Sequence, residues 1–287
     1  MVQALIQGTL LGGLYASVGV GMSMIFGIAR ITNLAHGDFL ILAAYISHIF
    51  MSLLGVNPFV SLIFVVPIMF FVGYAVQSLL LNRVLNRGNE PPLLVTFGIS
   101  IIIQNLLLYF FTANTQWLQI PLLLQSITIA DTVRIPAMYL VACIIGVIII
   151  LALNFYLNRT YMGKAIRATS DDIGAAQLMG VNIKNVYSIA MGIAMSTAGI
   201  TGVLVGTLNS FKPDTGATHL ITAFAVVVIG GIGSINGTLV AGFIFGLAQA
   251  FGGQLLGVAY QKLIAYLILL VMLIVRPQGL ISKGSKV

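Results

Sequence analysis

The residues best suited to recognition lie in one charged loop between Arg159 and Lys184. Its charged side chains are four bases and two adjacent acids: Arg159, Lys164, Arg167, Lys184, Asp171 and Asp172. Long apolar stretches without charge lie on both sides of this loop. Because the rest of the chain avoids charge, we expect the loop to be the place where the molecule meets a soluble partner.

The sequence offers no constellation for catalysis. The three histidines are scattered at positions 36, 48 and 219, and Cys143 is the single cysteine, so neither an H-x-x-x-H metal motif nor a cysteine cluster can form. Paired carboxylates and a Cys–His pair are also missing, which argues against an intramembrane enzyme. The chain has no G-x-x-x-x-G-K-[ST] phosphate loop. We therefore expect no cofactor in this chain and ATP, if used, to be bound by partner subunits.

His36 and Asp38 form a short polar group at the start of the second apolar segment. They could line an inner gate of a transport path. Alternatively, Asp38 could cap the start of a helix while His36 lies in the headgroup zone. We favour capping, because a position near the interface removes most of the cost of burying an ionisable group.

Three glycines, Gly230, Gly231 and Gly233, stand close together near the end of another apolar segment. Each weakens a helix by about 1 kcal/mol relative to alanine. A broken helix that frees backbone groups is one way to build a transport path. A plain cytoplasmic turn would explain the same residues, and both interpretations stay open. With His36 and Asp38, these glycines are the candidates for a path or gate.

Three amide side chains, Gln104, Asn105 and Asn154, lie inside apolar segments. Such side chains form hydrogen bonds across helices that are worth only about 1 kcal/mol. One of them could touch a transported substrate, but the sequence does not say which.

The composition requires a membrane protein. Of the 287 residues, 59% are hydrophobic and only 7% are charged, against about 25% charged in soluble domains. About 20 apolar residues cross the hydrocarbon as a helix, and the runs here are too long for barrel strands. We predict one all-α domain, residues 1–287, as a polytopic transmembrane helical bundle of eight or nine helices. The nine apolar segments are 4–28, 37–54, 58–81, 92–112, 137–158, 186–209, 217–233, 237–255 and 258–275.

The distribution of basic residues predicts the orientation. The N-terminal MVQALIQGTL lacks a basic n-region and a cleavage site, so we interpret it as part of the first span. If all nine segments cross and the N-terminus is outside, ten basic residues fall inside and three outside, as the positive-inside rule expects. A re-entrant 217–233 would weaken this asymmetry, although its short length keeps an eight-span arrangement open. The net charge of +7 thus reflects orientation and not nucleic-acid binding.

Within the loop 159–185, the sequence predicts a short helix over about 171–179. Ser170 is a favoured type of N-cap, Asp171 and Asp172 suit the first turn, and Gly180 suits the left-handed position after the last turn. A nine-residue helix is marginal alone and needs a surface to pack against. It could be a lid on the protein itself or a docking helix for a cytoplasmic partner. The predicted docking residues are Ser170, Asp171, Asp172, Ala175, Ala176, Leu178, Met179 and Gly180.

Two further patterns predict local structure. In the external segment 113–136, the alternation of Ile127, Ile129, Val133 and Ile135 predicts a small hairpin. Four glycine pairs have G-x-x-x-G spacing, which favours close helix packing within the chain or with a second membrane chain. These pairs are Gly8/Gly12, Gly202/Gly206, Gly242/Gly246 and Gly253/Gly257.

Four stretches of the chain resemble one family. The loop residues 163–168, 175–176 and 178–182 are similar to the cytoplasmic loop of Liv-type branched-chain amino-acid ABC permeases, and Ala175-Ala176 followed by Gly180 echoes the EAA…G coupling motif of ABC importers. Gly174 stands where that motif has glutamate. The other similar stretches are 33–39 (NLAHGDF), 230–237 (GGIGSING) and 276–280 (RPQGL).

The resemblance implies a multi-component importer of the bacterial inner membrane. It implies a second permease chain, often non-identical, two cytoplasmic ATPase subunits and a periplasmic or extracellular substrate-binding protein. It also implies leucine, isoleucine or valine as substrate, with urea, short amides or other small amino acids as the alternative. A largely apolar path would suit the branched side chains. An ion-coupled secondary transporter is disfavoured, since no charged residue falls clearly at the centre of a predicted span.

Overall fold

The computed structural model describes residues 1–29, 31–85, 88, 90–120, 126–129 and 133–281, and the side chains of 126–134 are not described. The helices in these residues are α1 Val2–Ala29, α2 His36–Leu54, α3 Pro58–Ala75, α4 Asn82–Val84, α5 Glu90–Phe111, α6 Ala137–Arg159, α7 Tyr161–Asp171, α8 Ile173–Leu178, α9 Ile183–Leu208, α10 Gly216–Gly230, α11 Ile235–Leu256 and α12 Gln261–Val275. A π-helical segment, Val76–Leu81, joins α3 to α4.

Across the described residues, nine helical segments are long and apolar enough to cross a membrane. They match the nine predicted segments one for one, and the chain is a polytopic helical bundle. The predicted hairpin is also confirmed: strands Ser126–Ile129 (β1) and Val133–Pro136 (β2) pair antiparallel, with Ile127 opposite Ile135. Residues 130–132, at its tip, lie outside the described part of the chain.

Close backbone contact between α1 and α11 forms the main seam of the bundle. A Cβ on Gly12 would lie 2.6 Å from Phe243 Cα, and one on Gly242 would lie 2.5 Å from the backbone nitrogen of Ala16. Gly246 lies against the carbonyl of Gly8 in the same way. The predicted packing role of Gly8/Gly12 and Gly242/Gly246 is therefore confirmed, and the two pairs pack against each other.

The other two glycine pairs differ in whether they pack against neighbouring segments. Gly202 and Gly206 bring α9 against α2 and Leu118, as predicted. Packing within the chain is not seen at Gly257, where no atom of the described residues lies within 4 Å of a Cβ position and φ is +97°. Packing of this glycine against a second permease stays a prediction. Glycine is needed there because the chain turns from α11 towards α12 through the left-handed region.

Helix α2 begins deep inside the bundle. We call the end of the bundle that carries α7 and α8 the coupling end, and the opposite end, where α2 turns into α3, the far end. His36 Nε2 lies 3.1 Å from the carbonyl of Val18, in the middle of α1. Since Val18 precedes the end of α1 by eleven residues, the start of α2 lies about 16 Å from the coupling end along the helix axis.

Helices α2 and α9 run parallel, because Gly202 lies against Leu40 and Gly206 against Ala44. Helix α9 ends two residues after Gly206, whereas α2 continues for ten residues past Ala44. At a rise of 1.5 Å per residue, the end of α9 therefore lies about 12 Å below the far end. The chain that leaves α9 therefore starts below the far end, where Gln116 and Phe211 form an antiparallel bridge.

The connection from α9 to α10 descends along α2. Phe211 packs edge-to-face on Tyr45 with ring centroids 5.0 Å apart, and Gly216, the first residue of α10, lies against Asp38. Helix α10 then reaches the coupling end, where Gly233 in the turn that follows it lies against Gly27 of α1. Residues 209–216 and α10 together complete one crossing, so the geometry supports nine crossings, with the extended part in the far half of the seventh.

The α1–α11 seam predicts a strong dependence on glycine. Replacing Gly12 by leucine would force a side chain into the backbone of Phe243, and overpacking of this kind costs about 1–3 kcal/mol or more. The change Gly98→Leu on α5 is the matched control, since a Cβ there meets nothing within 4 Å. In thermal unfolding of the detergent-purified protein, Gly12→Leu should unfold at a clearly lower temperature than Gly98→Leu. Equal transition temperatures would contradict the seam.

Candidate functional site

Helix α7 is fixed to the end of α1 at the coupling end. The hydroxyl of Thr160 caps α7 by accepting from the backbone N–H of Gly163 at 2.9 Å, and Gly163 lies so close to Leu157 that no Cβ fits. At the other end of the helix, Ser170 Oγ donates to the carbonyl of Gly27 at 2.6 Å. Helix α7 is therefore in direct contact with both α6 and α1.

Helix α8 begins later than predicted. It covers Ile173–Leu178, and the residue that caps it is Asp172, whose Oδ1 accepts from the N–H of Ala175 at 3.0 Å. The prediction of Ser170 as the cap is wrong, because Ser170 still belongs to α7 and its hydroxyl is used by Gly27. Aspartate is as good a cap as serine, and the sequence pattern contained both.

The end of α8 was predicted correctly. Gly180 adopts φ +83°, its N–H donates to Gln177, and the N–H of Val181 donates to Ala176. These two bonds define a Schellman motif, in which glycine at the left-handed position closes the helix.

The tip of α8 is an exposed apolar surface. Leu178 is 90% exposed and Met179 is 85% exposed, and Ile173 is exposed beside them. Ala176 is 4% exposed and faces inward, whereas Ala175 faces outward. We call Ile173, Ala175, Leu178 and Met179 the α8 tip. A patch of this kind on a charged, water-facing loop is typical of a contact surface.

Asp38 is the centre of a buried polar cluster. Its carboxylate accepts from Ser100 Oγ at 2.6 Å and from Gln104 Nε2 at 2.9 Å, both on α5. It is 3% exposed, and Gly216 at the start of α10 lies directly against it. The capping prediction is wrong for Asp38, because the carboxylate bonds to another helix, and no side chain caps α2.

His36 is likewise buried and not in a headgroup zone. It is 1% exposed, and its Nε2 lies against the carbonyl of Val18. Asp38 is at the start of its helix, as expected, and not at the centre of a span, but it is buried in the bundle. The reason is geometric: a helix start marks the membrane interface only when the helix begins there, and α2 begins deep inside.

Gly230, the last residue of α10, and Gly231 and Gly233 after it form a turn. Gly231 and Gly233 have φ values of +98° and +79°, and the chain leaves the helix at Gly231. The segment after α12 closes this turn, since the N–H groups of Leu280 and Ile281 donate to the carbonyls of Ile229 and Gly230. The backbone therefore fits the interpretation as a turn. That Gly230, Gly231 and Gly233 also line a transport path stays a prediction.

The similarity of the chain to known proteins extends over nearly all of it. Residues 4–273 match the protein family described as the permease component of the branched-chain amino acid transport system. The chain belongs to this family. The resemblance drawn from its four motifs is confirmed, and the motifs form the coupling loop, the deep start of α2 and the joined turn after α10.

Individual relatives show the same extent. The high-affinity branched-chain amino acid transport system permease proteins BraD of Pseudomonas aeruginosa and LivH of Escherichia coli are each 28% identical to this permease, over 98% of its length and 95% of theirs. A fructose import permease of Rhizobium meliloti is 28% identical over 84% of this chain and 68% of its own. No solved structure matches.

Family membership places the chain in a transport system. It is a multi-pass membrane permease that works with ATPase and binding-protein components. The assembly of these components and the substrate are taken up below.

Sequence reasoning missed several residues of this permease. Ser100 shares a helix face with Gln104, four residues on, and that spacing could have indicated a polar stripe on α5. No local sequence pattern indicates that Tyr45 lies near Lys212 and Asp214. Their nearness depends on the descent of the 209–216 connection along α2.

The revised cap of α8 can be checked by amide hydrogen exchange. Asp172→Ala removes the oxygen that accepts from Ala175, and loss of an N-cap costs about 1 kcal/mol. Exchange across residues 173–179 should become about fivefold faster. The control Ser170→Ala should leave this segment unchanged. Faster exchange in Ser170→Ala alone would show that the cap is misassigned.

Proposed function

We propose that this permease is the translocation subunit of a binding-protein-dependent ABC importer that carries leucine, isoleucine or valine into the cytoplasm. The similarity to BraD and LivH over almost the whole of each chain carries this proposal. The fructose permease shows that relatives differ in substrate, but it matches less of the chain. The proposal therefore takes its substrate class from the relatives that match from end to end.

The α8 tip is the proposed docking surface for an ATPase subunit. Leu178 and Met179 offer apolar side chains to a groove, while Ala175 is small enough to let that groove approach. ATP would be bound and hydrolysed by two such subunits, so this chain holds no ATPase site and no cofactor. Two permease chains, one this protein and one non-identical, would form the membrane part, surrounded by lipid.

The proposed orientation follows from the loop. The coupling end faces the cytoplasm of a bacterial cell, the N-terminus lies outside the inner membrane and the C-terminus inside. The far end then faces the substrate-binding protein. Basic residues at the coupling end, such as Arg159, Lys164 and Arg167, support this orientation.

The proposed mechanism moves α8 as a lever. Closure of the ATPases displaces the α8 tip, α7 moves with it, and the Ser170–Gly27 bond passes the movement to α1. Helix α1 is packed on α11 along its glycines, so the two helices move as one body. ATP binding biases the equilibrium between two arrangements of the helices, and it acts only through this difference in affinity.

Docking through the α8 tip can be tested at Ala175. Ala175→Arg places a long charged side chain on the docking surface, and ATP-driven uptake and stimulated ATPase activity should fall at least tenfold while membrane insertion is unchanged. The control Ala175→Ser keeps the residue small. Ala176 is unsuitable, because it is buried and its replacement would disturb the fold. Normal coupling in Ala175→Arg would contradict the docking surface.

The transport activity itself can be tested by reconstitution. Liposomes that contain this permease, its partner permease and the ATPases should take up radiolabelled leucine only when the binding protein and ATP are both supplied. Omission of the ATPases should abolish uptake. Uptake by the permease alone in response to an ion gradient would contradict the proposal.

A further inference from the structure

A small cavity with both charged and apolar lining opens between α5 and the 209–216 connection. Its volume is about 280 Å³, below the range of about 300–1,000 Å³ that is typical of sites for drug-sized ligands. The side chains that matter here are Gln104, Asn105, Leu108, Ala113, Lys212 and Asp214. A space of this size with both charges and apolar atoms suits a small, partly apolar solute.

We infer that this cavity binds the α-ammonium and α-carboxylate groups of a free amino acid during its passage, with Asp214 and Gln104 at the ammonium and Lys212 at the carboxylate. The inference rests on the proposed function and adds to it the chemical group that the permease recognises. Solutes without both charged groups, such as sugars and amides, would bind poorly.

The depth of the charges is the first argument. Asp214 is two residues from Gly216, which lies against Asp38 in the deep first turn of α2. Charged side chains at such a depth face protein or a water-filled cavity and mark a substrate path, since exposure to lipid is costly. Lys212 and Asp214 are about half and two-thirds exposed and line one cavity, so their charged ends are not sealed inside protein.

The ion pair is the second argument. Lys212 Nζ and Asp214 Oδ2 are 3.1 Å apart, and both side chains are exposed. Exposed ion pairs contribute little to stability, so this pair opens at little cost. When a zwitterion binds, its ammonium group pairs with Asp214 and its carboxylate pairs with Lys212. Every charge then still has an opposite charge beside it.

One uncharged group extends the match. The Gln104 amide donates through Nε2 to Asp38 and Ser100, which leaves Oε1 to accept from an ammonium group.

The apolar part of the solute also finds a surface. Leu108 and Ala113 lie on the wall opposite the charges, at the end of α5. The expectation of a largely apolar path thus describes only the wall that meets the side chain. The main-chain charges of an amino acid need the polar wall.

The test uses the complete complex with the binding protein, and measures leucine uptake, ATPase activity and the half-maximal concentration of binding protein. Lys212→Met and Asp214→Asn should each lower uptake at least tenfold, with stimulated ATPase activity and the half-maximal concentration unchanged. Lys262→Met is the control, because Lys262 is an exposed lysine after α11 that lies outside this cavity. It should transport normally.

A reversed pair separates recognition from a structural role. In the double variant Lys212→Asp with Asp214→Lys the ion pair is kept, but the carboxylate and ammonium groups have exchanged places relative to Gln104. Uptake should stay low, and recovery would overturn the inference in favour of a structural ion pair. A changed half-maximal concentration in the single variants would overturn it in favour of binding-protein docking. If wild-type complex carries leucine and both single variants match it, only this inference fails; if wild type carries no amino acid, the proposed function fails.

Discussion

The structure depends on one carboxylate that cannot face lipid. Asp38 is buried in the bundle, and a charged or polar group in that position requires hydrogen-bond partners. Ser100 and Gln104 supply them from α5, and the absence of a Cβ at Gly37 and Gly216 lets the start of α10 come into contact with the start of α2. Three helices therefore meet at a fixed point, and the cavity beside it keeps its shape because that point does not move freely.

Helix α1 links this point to the coupling end. Val18 in its middle holds His36, its glycines hold α11 along most of its length, and Gly27 near its end holds Ser170 of α7. Close-packed helices transmit a displacement as a body, because their contacts leave little free volume to absorb it. In the proposed mechanism, a force applied at the α8 tip reaches the start of α2 through one continuous helix.

The sequence predicted what depends on length and local pattern. Apolar stretches of about 20 residues located the nine spans, alternation located the hairpin, and Gly180 marked the end of α8. Prediction from the sequence failed for features that depend on depth in the bundle. No local pattern shows that α2 begins beside Val18 or that residues 209–216 descend along α2. The N-cap of α8 failed for a different reason: Ser170 and Asp172 are equally good caps locally, and the contact of Ser170 with Gly27 decides between them.

The substrate expected from the family and the cavity require each other. A branched side chain alone would be well served by an apolar path, but an amino acid carries two opposite charges, and an isolated charge within a membrane is costly. Charged side chains beside the path reduce that cost only if they are not already held in a strong ion pair. An exposed ion pair such as Lys212–Asp214 meets this condition, because it balances its own charge when empty and can be exchanged when a zwitterion arrives. A buried group such as Asp38, bonded to Ser100 and Gln104, fixes the position of α5 beside the cavity.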